Sequence, residues 1–477
     1  MKPIRINTGY GILTFIHFSI VGLIAILTAY AEYHIVIAIL FVACLSFIVI
    51  IKKQYILYYF LLFGALLPPG LFDNLGGIVS LVWARNSILA IILLIYLIAL
   101  LGKYSKALKE PGVRGWVIII TVWTVYMGVS SLWSLSPIDA MRYYPKFLFA
   151  ACLGFVLMLD NTIDRERALD LLLTGGLIFL VISTLAEPFK SIIWPSYHGT
   201  PYFMGLISRH QSKFVLVFLF LLGLCNWITK RKKTISMVIM IWSTILLAFI
   251  VQRGAFLALG VGIIAIYLLS SAAFNTKLVF RGIIYLTIIY FIIIYIFSTP
   301  DFQKNMFYPG HGPEDLIFYL LQGDFGGAID IINFKGRWGL WGLIQGESSI
   351  SLFGIGLGST SVLIGKYYGQ LNQLHSDWIQ YFYEGGIIGF IIYCAMWISC
   401  LKVSINLRKS DDLITKTLAL CLGGYTVAII FWSLTGHVLD YGHLTSAYLY
   451  AVAGLSLRGI LNNKQTELIK TYHLSIK

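Results

Sequence analysis

Apolar runs recur along the whole chain and are separated by short polar connectors. Each run spans roughly 17 to 22 residues, the length at which an α-helix crosses about 30 Å of hydrocarbon. We count about 14 runs, centred near residues 20, 43, 61, 93, 122, 152, 178, 220, 242, 262, 289, 393, 424 and 453. Because backbone polar groups in lipid must be paired within the segment, the pattern predicts an all-α, polytopic transmembrane helical bundle.

One long stretch interrupts this pattern. Residues 298–384 form neither an apolar run nor a short connector, and they are rich in Trp, Tyr, Phe and Ile. A loop beyond about 12 to 15 residues is usually functional or disordered, and the apolar content here is sufficient for folding. We therefore predict N-terminal transmembrane helices in 1–297, one large, mostly helical loop in 298–384, and C-terminal transmembrane helices in 385–477.

Composition and charge indicate a membrane protein and its orientation. The 477 residues are 58% hydrophobic and 12% charged, whereas soluble domains are about 25% charged. With a cytoplasmic N-terminus, the inner connectors hold 24 of the 35 basic residues and 8 of the 21 acidic ones. The positive-inside rule then puts both termini in the cytoplasm and the 298–384 loop outside. The net charge of +14 follows from this topology and from phospholipid headgroups, so it does not indicate nucleic acid binding.

Two arginines on the predicted outer face are candidates for binding phosphate. Arg253 lies between two apolar runs, and Arg337 lies in the motif FKGRWGLW. A guanidinium is always charged and its planar fork matches phosphate oxygens, so two of them would neutralise a diphosphate. Structural alternatives stay open, with Arg253 as an interfacial arginine and Arg337 packed on Trp338 or Trp341.

The third candidate is His375, at the start of a predicted helix in the motif HSDWIQYFYEGGIIG. Histidine is suited to accept a proton from an attacking hydroxyl near neutral pH, although a lone histidine among aromatic residues is more often structural. Asp377 and Glu384 are alternative bases. The helical register groups Asp377, Tyr381 and Glu384 on one side and His375, Trp378, Ile379 and Phe382 on the other.

The remaining features of the sequence are less specific about function. Aromatic residues on the predicted outer face, such as Trp133, Trp378 and Tyr381, suit both an interfacial belt and stacking on sugar rings, and composition does not separate the two. The glycines of LFGIGLGS (352–359) predict a tight turn on the way to His375. We predict no metal site, because His437 and His443 do not share a helix face.

Six motifs, taken in order, resemble the O-antigen polymerase and O-antigen ligase superfamily, which are polytopic bacterial glycosyltransferases of the envelope. The sequence departs from the usual family pattern at Ser376, where asparagine is frequent, and at Arg209-His210-Gln211. The matching motifs are SSLWSLSPIDAMR (130–142), MGLISRHQSKF (204–214), QRGAFLAL (252–259), FKGRWGLW (334–341), LFGIGLGS (352–359) and HSDWIQYFYEGGIIG (375–389).

The resemblance implies that a periplasmic loop between two late spans forms the site, and that the donor is a glycan on undecaprenyl diphosphate. It implies that Arg253 and Arg337 bind the diphosphate and that His375 lies beside the acceptor hydroxyl, as base or positioning group. Transfer would be a single inverting displacement that needs no metal and no cofactor. Substrate-binding roles are expected for Arg142, Arg209, Lys213, Trp341, Asp377, Trp378, Tyr381 and Glu384.

The expected function is polymerisation of undecaprenyl-diphosphate-linked oligosaccharide repeat units at the periplasmic face of the bacterial inner membrane. An O-antigen ligase, which transfers the glycan to lipid A core, is the alternative. The net charge of −2 on the predicted outer face favours the polymerase, because lipid A core phosphates would favour a basic surface. A transporter of lipid-linked oligosaccharide is a more distant alternative, since few charges lie inside the runs and no repeat is visible. A non-enzymatic membrane scaffold is a third class, and it would form no polymer from lipid-linked repeat units. Expected partners are the donor and acceptor glycolipids, the phospholipid bilayer and a chain-length regulator protein.

Overall fold

The computed structural model describes residues 81–189, 209–250, 253–270, 313–324, 351–368, 374–434 and 443–475, with positions 311, 327, 341–342, 344–346, 436 and 438. Within these residues the regular structure is helical throughout and contains no strand. The α-helices of this part are, in chain order, α1 (Leu81–Tyr104), α2 (Pro111–Ser130), α3 (Pro137–Leu159), α4 (Arg165–Ala186), α5 (Arg209–Ile228), α6 (Lys233–Ile250), α7 (Arg253–Ser270), α8 (Pro313–Leu321), α9 (Ser359–Tyr368), α10 (Asp377–Leu407), α11 (Leu413–Ser433) and α12 (His443–Ser475).

The all-α prediction is confirmed for the described part. Helices α2 (with the turn after it), α4, α6, α10 and α11 are long and apolar enough to cross a membrane. Shorter apolar stretches occur in α3, α5 and α7. The predicted runs centred near 20, 43, 61 and 289 lie outside the described residues, so the total of about 14 spans stays a prediction. The other ten runs each fall within one helix, at centres 93, 122, 152, 178, 220, 242, 262, 393, 424 and 453.

Large apolar side chains on the outside of the bundle recur at spacings of three, four or seven residues along single helices, which keeps them on one face. Their exposed fractions lie between 41% and 64%. Facing water, such stripes would be unfavourable by about 25 cal/mol per Å², whereas facing lipid they carry no such penalty. The stripes therefore indicate lipid-facing surfaces. They consist of Ile118, Val122, Val125 and Val129 on α2, Met237, Ile241, Ile245 and Phe249 on α6, and Ile387, Ile391, Ile398 and Ile405 on α10.

Glycines allow two helix pairs to approach closely. Between α3 and α12, a Cβ added to Gly154 would stand 2.8 Å from the Tyr450 carbonyl oxygen. Between α7 and α11, a Cβ added to Gly262 would stand 3.1 Å from the Gly424 carbonyl oxygen. Because lipid tails are as apolar as the side chains, close packing of small residues is a main attraction between helices in a membrane.

The basic connectors of the described part meet at one end of the bundle. Arg165, at the start of α4, donates to Asp412 Oδ2 at 2.9 Å and to Thr415 Oγ1 at 2.6 Å. Arg231, between α5 and α6, donates to Asp170 Oδ1 at 2.9 Å. The distribution of basic residues in the sequence predicted that these connectors share one side of the membrane. In the structure they do lie at the same end of the bundle. We call this the basic end; it comprises residues 103–114, 160–170, 229–236 and 408–416.

Asp412 caps α11 at the basic end. Its carboxylate accepts hydrogen bonds from the amides of Ile414 at 3.3 Å and Thr415 at 3.2 Å. Burial by itself raises the pKa of Asp412, but the hydrogen bonds from Thr415 and the charge of Arg165 outweigh burial and leave the pKa below its ordinary value. The charged carboxylate is therefore stabilised in the folded protein.

A small second core forms at the opposite end of the bundle. Ile344, Ile364 and Leu374 are fully buried, with Trp341 and Tyr383 packed against them. These residues belong to the predicted 298–384 loop, whose described parts include helices α8 and α9. Its placement outside the membrane stays a prediction. We call this the loop end; it comprises the first turns of α5 and α7 and residues 126–136, 341–342, 344–346, 351–368, 374–386, 432–434, 436 and 438.

Candidate functional site

Helix α10 is broken at Gly386. This residue has φ 63° and ψ −165°, a conformation that essentially only glycine adopts. At the break, the amides of Ile387 and Ile388 would normally bond to the carbonyls of Tyr383 and Glu384 within the helix. Such backbone groups need other partners when a helix is interrupted.

Residues 351–359, which we call the glycine segment, supply those partners. The carbonyls of Ser351 and Leu352 accept from the amides of Ile387 and Ile388 at 3.2 and 3.1 Å. The amides of Ile355 and Gly356 donate to the carbonyls of Tyr383 and Glu384, at 2.9 and 3.0 Å respectively. Four hydrogen bonds to the glycine segment thus replace two within the helix. The segment does turn, with positive φ at Gly354, Gly356 and Gly358 and the Ser359 amide donating to the Gly356 carbonyl at 3.3 Å. Beyond that prediction, it fills the break in α10 and then begins α9.

The glycine segment also contacts the connector after α2. Ser134 Oγ donates to the Leu357 carbonyl at 2.7 Å, and the Leu135 amide donates to Ser359 Oγ at 2.9 Å. At Gly356, which has φ 90°, a Cβ would stand 2.5 Å from Ser134 Cα. The motifs at 130–142, 352–359 and 375–389 therefore meet at the loop end, although more than 200 residues separate the first from the others.

Glu384 joins α9 to α10. Its Oε1 accepts hydrogen bonds from the Thr360 amide at 3.2 Å and the Thr360 hydroxyl at 2.5 Å, and its Oε2 accepts from Gln380 Nε2 at 3.3 Å. The carboxylate is fully buried and lies at the N-terminus of α9, where a negative charge is favourable. These bonds give Glu384 a structural role, and its predicted contact with substrate stays a prediction.

His375 precedes α10 and does not begin it. The helix starts at Asp377, and Ser376 is the N-cap whose hydroxyl accepts from the Ile379 amide at 3.4 Å. His375 itself has φ 55°, which is uncommon for a residue with a side chain and costs about 1–2 kcal/mol. Its predicted grouping with Trp378 on one helix face is therefore wrong.

The surroundings of His375 hold this conformation from both sides. On one side, Trp341 Nε1 donates to the carbonyl of the buried Leu374 at 2.8 Å. On the other, Asp377 Oδ2 accepts from the Val438 amide at 3.0 Å. Strained backbone conformations persist where neighbouring structure fixes them, and they occur often at functional sites. The predicted residues Trp341 and Asp377 thus lie beside His375.

The side of α10 on which Asp377, Tyr381 and Glu384 were predicted to group is buried, since each of them is at most 1% exposed. The Tyr381 ring is enclosed by aromatic rings, with its centroid 5.2 Å from that of Trp123. Tyr381 therefore packs within the protein core. Trp378 instead reaches α11, where its Nε1 donates to Ser433 Oγ at 2.8 Å.

Two helices with basic first turns meet at Trp432, the neighbour of Ser433. Lys213 Nζ, in the first turns of α5, lies 5.4 Å from the Trp432 ring centroid. At the start of α7, a Cβ added to Gly254 would stand 2.8 Å from Trp432 Nε1. The beginnings of α5, α7 and α10 therefore lie around the end of α11.

The electrostatics of this meeting point favour an anion. Neither α5 nor α7 has an acidic residue in its first turn, and each helix N-terminus carries about +0.5 of a charge. Arg209 is the first residue of α5 and Arg253 is the first residue of α7, so two helix dipoles bring their positive ends toward Trp432. A phosphate placed here would relieve this repulsion and accept from backbone amides.

Some predicted residues can be placed only by their backbone or not at all. Arg142 lies on α3, Arg209 on α5 and Arg253 on α7, but their side chains lie outside the described part. Arg337 lies wholly outside it. Their assigned roles stay predictions.

The structure also adds residues that the sequence did not indicate. Trp432 lies within an apolar run, where no local pattern distinguishes it from a lipid-facing tryptophan. Thr360 directly follows the motif at 352–359 and Gln380 lies within the motif at 375–389, but nothing in the sequence indicated that both bond to Glu384. Only Gly385-Gly386 offered a local indication, because a glycine pair favours a kink in a helix.

No protein-family model matches this sequence, and no curated protein matches it. The case for function therefore consists of the motifs and of the geometry at the loop end.

Proposed function

We propose that this protein is a membrane glycosyltransferase that polymerises undecaprenyl-diphosphate-linked oligosaccharide repeat units. The observation that carries the proposal is the arrangement around Trp432. Lys213 and the start of α7 contact this ring, and the adjacent Ser433 accepts from Trp378, three residues after His375. The start of α7, whose Arg253 is predicted to bind the diphosphate, thus shares one end of the bundle with His375, which is predicted to lie beside the acceptor hydroxyl.

In the proposed reaction, the donor diphosphate lies at the N-termini of α5 and α7, bound by Arg253 and Arg337 with help from Lys213. The acceptor hydroxyl attacks the anomeric carbon and loses its proton to His375. The bond from that carbon to the diphosphate oxygen breaks, and its electron pair leaves with the diphosphate. The cations of the protein stabilise the charge that develops there, so the reaction uses no metal ion. A single displacement inverts the anomeric centre.

The proposed setting is the inner membrane of a bacterium, with about 14 spans, cytoplasmic termini and a periplasmic catalytic loop at 298–384. The division of the described connectors between a basic end and a loop end supports this topology, because basic connectors are retained in the cytoplasm. Donor and acceptor glycolipids would reach the loop end from the outer leaflet. A chain-length regulator protein is the expected protein partner.

The alternatives differ in what they require of the structure. A ligase would use the same donor site and transfer the glycan to lipid A core. A transporter would require a second broken helix matched to the first. Within the described ranges only α10 shows a break of this kind, and the glycine segment fills it.

Deletion of the gene in its host separates polymerase from ligase. Surface glycan limited to one repeat unit indicates a polymerase, whereas free polymer that never reaches lipid A indicates a ligase. Complementation with Arg253→Ala, Arg337→Ala or His375→Ala is expected to leave chains short at normal protein levels. Arg114→Ala, an exposed arginine at the basic end, is the matched control and is expected to restore long chains. Long chains from the three site variants would refute the roles assigned.

A further inference from the structure

A separate cavity lies at the basic end of the bundle. It has a volume of about 320 Å³ and is lined by residues 161–166, Ile414, Arg458 and Asn462. It therefore lies between the connector from α3 to α4, the start of α11 and the middle of α12. No step of the proposed reaction involves these residues, so the cavity can be considered on its own.

Arg458 is the unusual member of this lining. It is 3% exposed, yet its Nε and Nη1 atoms form no hydrogen bond with any described residue. Buried guanidinium groups normally have hydrogen-bonding partners, because leaving such a charge uncompensated costs several kcal/mol. Arg458 also forms no ion pair with a carboxylate in the described part of the chain. No described carboxylate therefore bonds directly to this guanidinium.

The other charged groups around the cavity already have partners. Arg165 pairs with Asp412, and Glu166 accepts from Arg231 at 3.3 Å. Asp164 caps α4 by accepting from backbone amides. These charged groups therefore leave no unpaired carboxylate for the guanidinium of Arg458.

The nearby carboxylate of Asp160 is also occupied. Its Oδ1 accepts from the Thr162 amide at 3.0 Å and the Thr162 hydroxyl at 2.6 Å. Its Oδ2 accepts from the hydroxyl of Tyr96. Asp160 therefore offsets the charge of Arg458 from a distance but does not bond to it.

We propose that this cavity binds the phosphate ester of an anionic phospholipid from the leaflet at the basic end, with Arg458 as its principal ligand. Phosphate oxygens suit a guanidinium because they accept its parallel N–H donors. Basic pockets between transmembrane helices on the cytoplasmic side are characteristic sites for anionic lipid headgroups. Ile163 and Ile414 supply apolar lining for the glycerol part of the lipid.

Native mass spectrometry of the full-length protein in detergent tests the site. Phosphatidylglycerol and phosphatidylcholine are titrated separately into wild type, Arg458→Gln, Ile414→Trp and Arg114→Gln. Ile414→Trp fills the cavity and keeps Arg458, so it carries the test even if Arg458→Gln fails to fold. Arg114 is an exposed arginine at the same end and serves as the control.

We expect one phosphatidylglycerol to be retained on wild type and on Arg114→Gln, with occupancy at least fivefold lower in the two cavity variants. Phosphatidylcholine should show no such difference. Equal phosphatidylglycerol occupancy in all four proteins would overturn the proposal, as would an equal loss in Arg114→Gln, which would indicate surface charge alone.

Thermal unfolding in inorganic phosphate, without added lipid and against chloride at equal ionic strength, distinguishes the source of the phosphate. Phosphate is expected to give wild type less stabilisation than phosphatidylglycerol does. Equal stabilisation that is lost in Arg458→Gln would support the phosphate site but overturn its assignment to a lipid. The alternative is that Arg458 serves only to neutralise the charge of Asp160. In that case the double variant Asp160→Asn, Arg458→Gln recovers wild-type stability and retains bound phosphatidylglycerol. This result would overturn the proposed lipid site.

Discussion

The break in α10 makes a specific prediction for Gly386→Ala. Alanine at φ 63° and ψ −165° is strained by about 1–3 kcal/mol. Its Cβ would also stand 2.6 Å from the carbonyl oxygens of Leu352 and Ser351. Displacing those carbonyls removes their two hydrogen bonds, at about 0.5–1.5 kcal/mol each. The expected loss in free energy of unfolding is thus about 2–6 kcal/mol.

The neighbouring substitution Gly385→Ala is the matched control. A Cβ at Gly385 would meet Tyr126 Cε1 at 3.6 Å, an ordinary contact, and Gly385 does not have a positive φ. Replacing a helical glycine by alanine gains up to about 1 kcal/mol. Gly385→Ala is therefore expected to be close to wild type in stability.

Thermal unfolding of the purified variants in detergent, followed by tryptophan fluorescence, measures the difference. At about 1–2 °C per kcal/mol for a chain of this size, Gly386→Ala should unfold roughly 2–14 °C below Gly385→Ala. A Gly386→Ala variant as stable as the control would refute the reasoning, because it would mean that α10 continues unbroken and that the glycine segment is not inserted.

Three further predictions concern single side chains. Glu384→Gln should lower the free energy of unfolding by about 1–3 kcal/mol, because the carboxylate accepts from both donors of Thr360. Glycan chains should shorten only as far as the amount of folded protein decreases. Complete loss of polymer with a normal amount of folded protein would show that Glu384 has a chemical role instead. Trp432→Ala should shorten glycan chains far more than Trp432→Phe at equal protein levels, because phenylalanine keeps a ring between Lys213 and Gly254; equal chain lengths for the two variants would contradict this positioning role. Asp412→Asn keeps a helix cap but leaves Arg165 without its carboxylate, so wild type should be more stable by about 1–3 kcal/mol at pH 7. Folding lowers the pKa of Asp412. The extra stability of wild type over Asp412→Asn is therefore present above the ordinary carboxyl pKa, and it is lost as the pH falls through the pKa of Asp412 in the folded protein. If thermal unfolding shows that this stability difference grows as the pH falls, the assignment is contradicted.

The helices were predictable because a membrane imposes simple local rules. A span must be long, apolar and helical, so runs such as those centred near 122 and 424 could be located by length and hydropathy alone. The clustering of Arg165 and Arg231 at one end was equally predictable, because basic connectors share one side of the membrane. Neither prediction depends on which helices touch.

The candidate site was harder to predict because its contacts are distant in sequence. The backbone groups on both sides of Gly386 bond with residues 28 to 36 positions earlier in the chain, so no local period could reveal the insertion. The start of α10 was a different case. Ser376 followed by Asp377 is a recognisable helix start, and it would have placed His375 outside the helix. Trp432 had no such indication, since only packing shows that its ring faces Lys213.

Reconstitution of the purified full-length protein tests the proposed function most directly. The protein is placed in liposomes with undecaprenyl-diphosphate-linked repeat units as the only glycan, and products are separated by size. We predict a ladder of polymerised repeats from wild type and none from His375→Ala at equal folded protein. A wild-type reaction that yields only single repeat units, or an unchanged ladder from His375→Ala, would contradict the account.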